Sequence, residues 1–167
     1  MSSQELTDPD LAAFAESVEL TLVEAYKAAS ATGKLSGAIA EAATTFSSHH
    51  QAHARTFASA SLGKAKGRVN PGLLAAVTPR ITAAKDQDAL VGVVIDLENM
   101  AAATHLAALG SLQSPAAAQL AAAILPVEAQ HAVVLASAVG TSTKDLFASG
   151  SMDSDKQRVD PAKYPLS

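Results

Sequence analysis

The chain has 167 residues and a formal charge of −4, long enough to bury a core as one domain. Its acidic balance, without a long Lys/Arg run, excludes the electrostatic footprint of a nucleic-acid or anionic-membrane partner. It has no cysteine, which rules out disulfides, thiolate metal sites and iron–sulfur clusters, and its alanine-rich composition with 4% aromatics predicts an all-α protein of closely approaching helices.

The start, Met1 to Glu5, is polar and acidic and does not resemble a secretory signal. No apolar run approaches the roughly 20 residues of a membrane span. The expectation is therefore no transmembrane segment and a cytoplasmic location, with export the alternative if a leader was removed. The first helix is predicted to open at Asp8-Pro9, with Asp8 as N-cap, and to run to about Ala31 before Gly33. Its seam reads Ala12, Ala15, Glu19, Leu22, Tyr26, Ala29, so Glu19 interrupts an apolar stripe. The second helix starts at Ser36 and ends before Gly63, with Ile39, Ala43, Phe46, His50, His53 and Phe57 on its seam. Aromatics one turn to either side of the histidines predict that both point inward.

Residues 63–72 are polar, basic and glycine-rich, and read as an exposed loop. Residues 73–84 follow as a short helix interrupted by Pro79, and together with the loop they form a long crossover. The third helix runs from about Asp86 to Leu109, with Val91, Val94, Glu98, Ala101 and His105 on its seam. The fourth starts at Ser114-Pro115 and stops near Gly140, with Ala121, Ile124, Glu128, His131 and Leu135 inward; Pro126 is expected to kink it or free a carbonyl. The domain expected is a single one over 1–167, with a bundle core over about 8–140 and a polar C-terminal tail over 141–167 whose end, Pro161 to Pro165, drapes over the surface.

The four seams share a pattern. His50-Gln51-Ala52-His53 and Glu128-Ala129-Gln130-His131 each set two metal-capable side chains at i and i+3, on one helix face. Each is preceded by a lone glutamate, Glu19 or Glu98, and the copies are separated by 79 positions at the glutamates and 78 at His53 and His131. A helical hairpin used twice, giving Glu19, His50, His53, Glu98, Glu128 and His131 at one depth, is how a four-helix bundle builds a metal site in its core. Carboxylate and imidazole donors suit Fe, Mn, Zn or Cu. Three buried carboxylates without Lys or Arg on the same stripes must bind cations or hold protons at raised pKa. A histidine on an apolar face is, taken alone, more often a satisfied core residue than a ligand; here the conjunction and the repeated spacing argue for metal. His131 then needs an acceptor for its second ring nitrogen. His49 points about 100° away from His50 and is expected at the boundary or in solvent. Tyr26 and His105 each stand seven residues after a seam glutamate and are expected above the site, and Glu24 is the rival of Glu19 on a more exposed stripe.

These residues resemble the ferritin-like superfamily, more narrowly the small actinobacterial-type ferritin-like domain proteins of unassigned activity. The resemblance rests on residues 14–20 with Tyr26, 48–54, 96–104 and 126–132, and covers most of 8–140. It implies a ferritin-like four-helix bundle of two hairpins joined by a long crossover. It also implies that Glu19, His53, Glu98, Glu128 and His131 occupy ligand positions, with Fe the favoured ion. His50 stands where the superfamily's di-iron members carry Glu, which removes a charge and a bridging group and favours Zn, Cu or a single ion. A tyrosine would be usual at His105. The resemblance implies metal-dependent oxidase or ferroxidase-type activity with dioxygen or peroxide; the alternative is a non-catalytic bundle serving as an interaction or structural module. Its Ala-rich faces are compatible with a homodimer, and cage-type iron storage is disfavoured because no strong fifth helix follows Gly140.

Overall fold

The computed structural model describes residues 6–142 and 154–166. Among the described residues there is no strand, and the helices are α1 Asp8–Ala31, α2 Gly37–Ala60, α3 Pro71–Ala83, α4 Gln87–Leu109, α5 Pro115–Ala138 and the single turn α6 Ser154–Gln157. α1 packs along α2 and α4 along α5, and the two hairpins meet through α1 against α4 and α2 against α5. This is a four-helix bundle of two hairpins joined by a long crossover, the architecture that the resemblance implied. The core holds Val18, Leu22, Tyr26, Leu90 and Leu97, each at most 2% exposed. Burial of each such side chain contributes roughly 1.5–3 kcal/mol.

The N-cap of α1 is Thr7, one residue earlier than expected, because the Asp10 carboxylate accepts the Thr7 backbone N–H at 3.0 Å. That frees Asp8 for a longer reach. Its carboxylate accepts the backbone N–H groups of Gln113 and Ser114, both at 2.8 Å, and so ties the start of α1 to the turn between α4 and α5. α3 begins at Pro71, two residues before the predicted start, because the Asn70 side chain caps it by accepting Leu73 N–H at 3.0 Å. It continues through Pro79, held by Leu73, Val77 and Ile81, which are all buried. α5 is likewise continuous through Pro126.

The 63–72 connection is less free than its composition suggests. Buried Glu16 accepts the Lys66 and Gly67 N–H groups at 3.2 and 3.1 Å, and Asn70 N–H donates to Thr21 Oγ1 at 2.9 Å. The end of the tail is anchored rather than merely draped: Val159 is 2% exposed and its N–H donates to Thr104 Oγ1 at 2.9 Å, while Asn70 Nδ2 donates to the Tyr164 carbonyl at 2.9 Å. The stretch 143–153, where no fifth helix was expected, lies outside the described residues. By length and apolar composition α4 and α5 would each suffice to cross a bilayer, although neither is an unbroken apolar run. A bundle's core helix passes the same test, and both helices turn glutamates into the interior.

Candidate metal centre

The bundle's hairpin geometry brings all six expected donors together at mid-helix. Glu19, His50, Glu98 and Glu128 are completely buried, His131 is 3% exposed, and only His53 keeps a partial opening to solvent. Two donor sets form, Glu19 with His50, His53 and Glu128, and His50 with Glu98, Glu128 and His131, each with its atoms within 4.8 Å of one another. His50 and Glu128 belong to both sets. Glu24, the rival, lies outside the cluster and pairs with Lys27 at 2.7 Å on the surface.

The electrostatics add a contribution that the sequence reading did not include. Three buried carboxylates called for bound cations or raised pKa values; without metal, the neighbouring histidines supply the positive charge. Burial alone would push Glu19 up; contacts from His105, 2.8 Å from Oε1, and His50, 2.8 Å from Oε2, outweigh it and hold the carboxyl well below its ordinary range. Glu98 is also pulled down against burial, chiefly by the charge of His50. Burial would push the histidines down, yet Glu98 and Glu19 raise His50 well above its ordinary value, and Glu128 with Glu19 raises His53 to about 9. His131 moves up too, against burial, through Glu128 and Glu98. Imidazolium thus stands in for the absent Lys and Arg.

This mutual neutralisation is incomplete. Both oxygens of Glu128 and Nδ1 of His53 are buried without a hydrogen-bond partner. His53 Nδ1 comes within 2.8 Å of Glu128 Oε1, but the approach lacks hydrogen-bond angles, so their distance reflects an ion contact and not a bond that satisfies either group. Buried polar atoms are rarely left so. Three stranded donor atoms amid carboxylate and imidazole ligands fit a cation.

Supporting residues cross between hairpins. Tyr26 on α1 donates through Oη to Glu98 Oε1 on α4, and burial and Glu98 raise the phenol well above its ordinary pKa. His105 on α4 reaches back to Glu19 on α1. Both were expected above the site; their contacts with the opposite glutamate were not expected. Phe46 stacks on His131 at 3.9 Å between ring centroids. His49 is exposed, as expected, yet its Nδ1 lies 2.9 Å from His131 Nε2 and serves the ring nitrogen that faces away from the cluster. Helical periodicity alone had placed His49 outside, and its role depends on the neighbouring helix.

No curated protein and no solved structure matches the chain. A family model described as ferritin-like domain matches residues 7–141, a stretch that takes in all four donor-bearing helices. The chain belongs to the ferritin-like domain family.

Proposed function

We propose that Glu19, His50, His53, Glu98, Glu128 and His131 hold one or two transition-metal ions, and that the loaded protein is an oxidase acting on Fe(II) or on oxygen species such as dioxygen or peroxide. The observation that carries this reading is the stranding of Glu128 and His53 Nδ1 within two donor sets that share a carboxylate and an imidazole. Iron is favoured by family membership, while Mn, Zn and Cu suit the same donors. A bound ion would supply Lewis acidity and, for a redox metal, electron transfer. The chain's own residues would position the donors. Tyr26 Oη steadies Glu98, His105 Nε2 steadies Glu19, and His49 takes Nε2 of His131 so that Nδ1 faces inward. Phe46 and Tyr26 keep water from the imidazoles they cover.

One observation favours a second reading, a non-catalytic bundle with a vestigial site. His50 sits between Glu19 and Glu98, at 2.8 and 3.2 Å, and balances their charge without a metal ion. Metal analysis of protein purified without chelator separates the two. The oxidase reading expects one or two equivalents of Fe, Mn, Zn or Cu, lost in a Glu98→Ala/Glu128→Ala variant, and a melting temperature that rises with saturating ion by mass action. Metal-free protein whose melting ignores Fe(II), Mn(II) and Zn(II) leaves the structural reading.

A further inference from the structure

Beyond the donor cluster, at the end of the bundle where α1 and α5 begin and α2 and α4 finish, lies a partly open cavity of about 420 Å³. That size is within the range of small-molecule sites. Its wall is almost wholly apolar, with Ala12, Ala15, Phe57, Ala117 and Leu120 among the lining side chains and His105 the one imidazole. The helices set its depth. Ala15 precedes Glu19 by one turn, Phe57 follows His53 by one turn, and Ala121 and His105 stand two turns from Glu128 and Glu98. At 1.5 Å per residue the cavity begins about 6–10 Å along the axis from the donors. Phe57 and His105 stack at 5.2 Å between the two spaces, and the same His105 touches Glu19.

Two further features point to an occupant. Leu62, on the rim, is 80% exposed and holds a left-handed backbone at φ 51°, where a helix end would normally use glycine. A large apolar side chain is thus kept in a strained conformation beside an apolar opening. The rim's carboxylate, Asp8, is already spent on the backbone N–H groups of Gln113 and Ser114, and among the described residues neither Lys nor Arg lines the cavity. A charged ligand would find no Lys or Arg counter-ion among them.

We propose that this cavity binds a small neutral apolar organic molecule, held between the Leu62 rim and the Phe57–His105 stack. That the molecule is the substrate of the metal centre rests on the reading above; that it binds does not.

The test is a fluorescence titration of the full chain, as purified, with the neutral probe N-phenyl-1-naphthylamine, followed by competition with 1-octanol and with octanoate. The expectation is saturable binding that octanol reverses and octanoate does not. Ala117→Leu and Ala108→Leu, which fill the cavity from two helices, should each weaken binding by about tenfold, and a matched change on α3, Ala76→Leu, should leave it alone. Leu62→Gly keeps the proposal falsifiable if a filling variant fails to fold. It relieves the backbone, so its melting temperature should hold or rise while probe affinity falls several-fold. A merely structural Leu62 would leave affinity unmoved. Absence of saturable binding, equal binding by parent and filling variants, or displacement by octanoate as effective as by octanol would overturn the proposal. The probe needs no metal, so protein that is purified metal-free, ignores added Fe(II), Mn(II) and Zn(II), and still binds the probe would sink the oxidase reading and leave this one standing.

Discussion

The α1–α2 hairpin and the α4–α5 hairpin bring equal numbers of donors to the centre but different kinds. The first supplies Glu19, His50 and His53, the second Glu98, Glu128 and His131. Seven residues past each lone glutamate stands a residue that reaches across to the other hairpin's glutamate, Tyr26 to Glu98 and His105 to Glu19. The pattern is a near-twofold exchange in which neither hairpin completes its own half. Two positions break it, His50 opposite Glu128 and His105 opposite Tyr26. The first break matters for charge, since a symmetric cluster would hold four carboxylates against two histidines, and this one holds three of each.

Restoring the symmetry at His50 is the strongest way to break the comparison. In the metal-free protein His50→Glu replaces a cation flanked by Glu19 and Glu98 with a fourth buried carboxylate. Breaking a buried ion pair in this way costs about 3–5 kcal/mol. Melting measured in chelator should drop accordingly, and added Fe(II) or Mn(II) should restore more stability to the variant than to the parent. An unchanged metal-free melting temperature would show that His50 is not the cation balancing the two hairpins.

Acidity probes the same balance without mutation. In the metal-free chain His53 is raised from 6.5 to about 9, so its contribution is whole below pH 6.5 and is lost as pH rises through about 9. Glu19 is lowered from 4.5, so its contribution is present above pH 4.5 and is lost as pH falls through its depressed folded value. Metal-free protein should therefore be most stable between about pH 4.5 and 6.5 and weaken toward pH 9. Bound metal displaces the histidine protons, so loaded protein should keep its melting temperature over that upper range, with affinity rising as pH rises. Parallel scans at pH 5.5 and 9, with and without chelator, check both halves of the statement.

The twofold plan was legible because it lives in local spacing. Two i, i+3 pairs, lone glutamates one copy apart, and Pro residues just inside helix starts all lie in short windows, and the helices fell within a few residues of expectation. What could not be read depends on partners far along the chain. The reach of Tyr26 to Glu98, the seat of His131 Nε2 on His49, the grip of Glu16 on the 63–72 connection and the insertion of Val159 each require two helices, or a loop and a helix, to be docked first. The source of the balancing charge was hidden for a related reason. No Lys or Arg stands on the carboxylates' own stripes, and the positive charge comes from histidines on neighbouring helices.

The crossed supports offer a finer test. Tyr26→Phe removes the donor to a fully buried carboxylate, and stranding such an acceptor costs about 1–3 kcal/mol. His105→Phe should cost a similar amount by freeing Glu19 Oε1. If each support holds the opposite hairpin, His105→Tyr, which makes the two halves alike, should recover part of what His105→Phe loses. Chemical denaturation of the three variants in chelator reads this directly, and a His105→Tyr no better than His105→Phe would show that the exchange is a coincidence of spacing.

The smallest contrast lies at the helix starts. In the second hairpin both caps are made by side chains: Asp86 Oδ1 accepts Ala89 N–H at 2.9 Å and Ser114 Oγ accepts Ala117 N–H at 3.0 Å. Ser36 holds the same position before α2 but caps nothing with its hydroxyl, which donates instead to Gln87 Oε1 at 3.0 Å, in the first turn of α4. Its backbone N–H donates to that same oxygen, at 2.9 Å, so the tie between hairpins survives loss of the hydroxyl. Asp86→Ala and Ser114→Ala should therefore each cost about 1 kcal/mol. That corresponds to a melting shift of about 2–4 °C for a chain of this size. Ser36→Ala should cost distinctly less, although all three are N-cap residues of favoured type. Equal losses at the three positions would mean that Ser36 caps α2 after all, and that the two hairpins begin their helices in the same way.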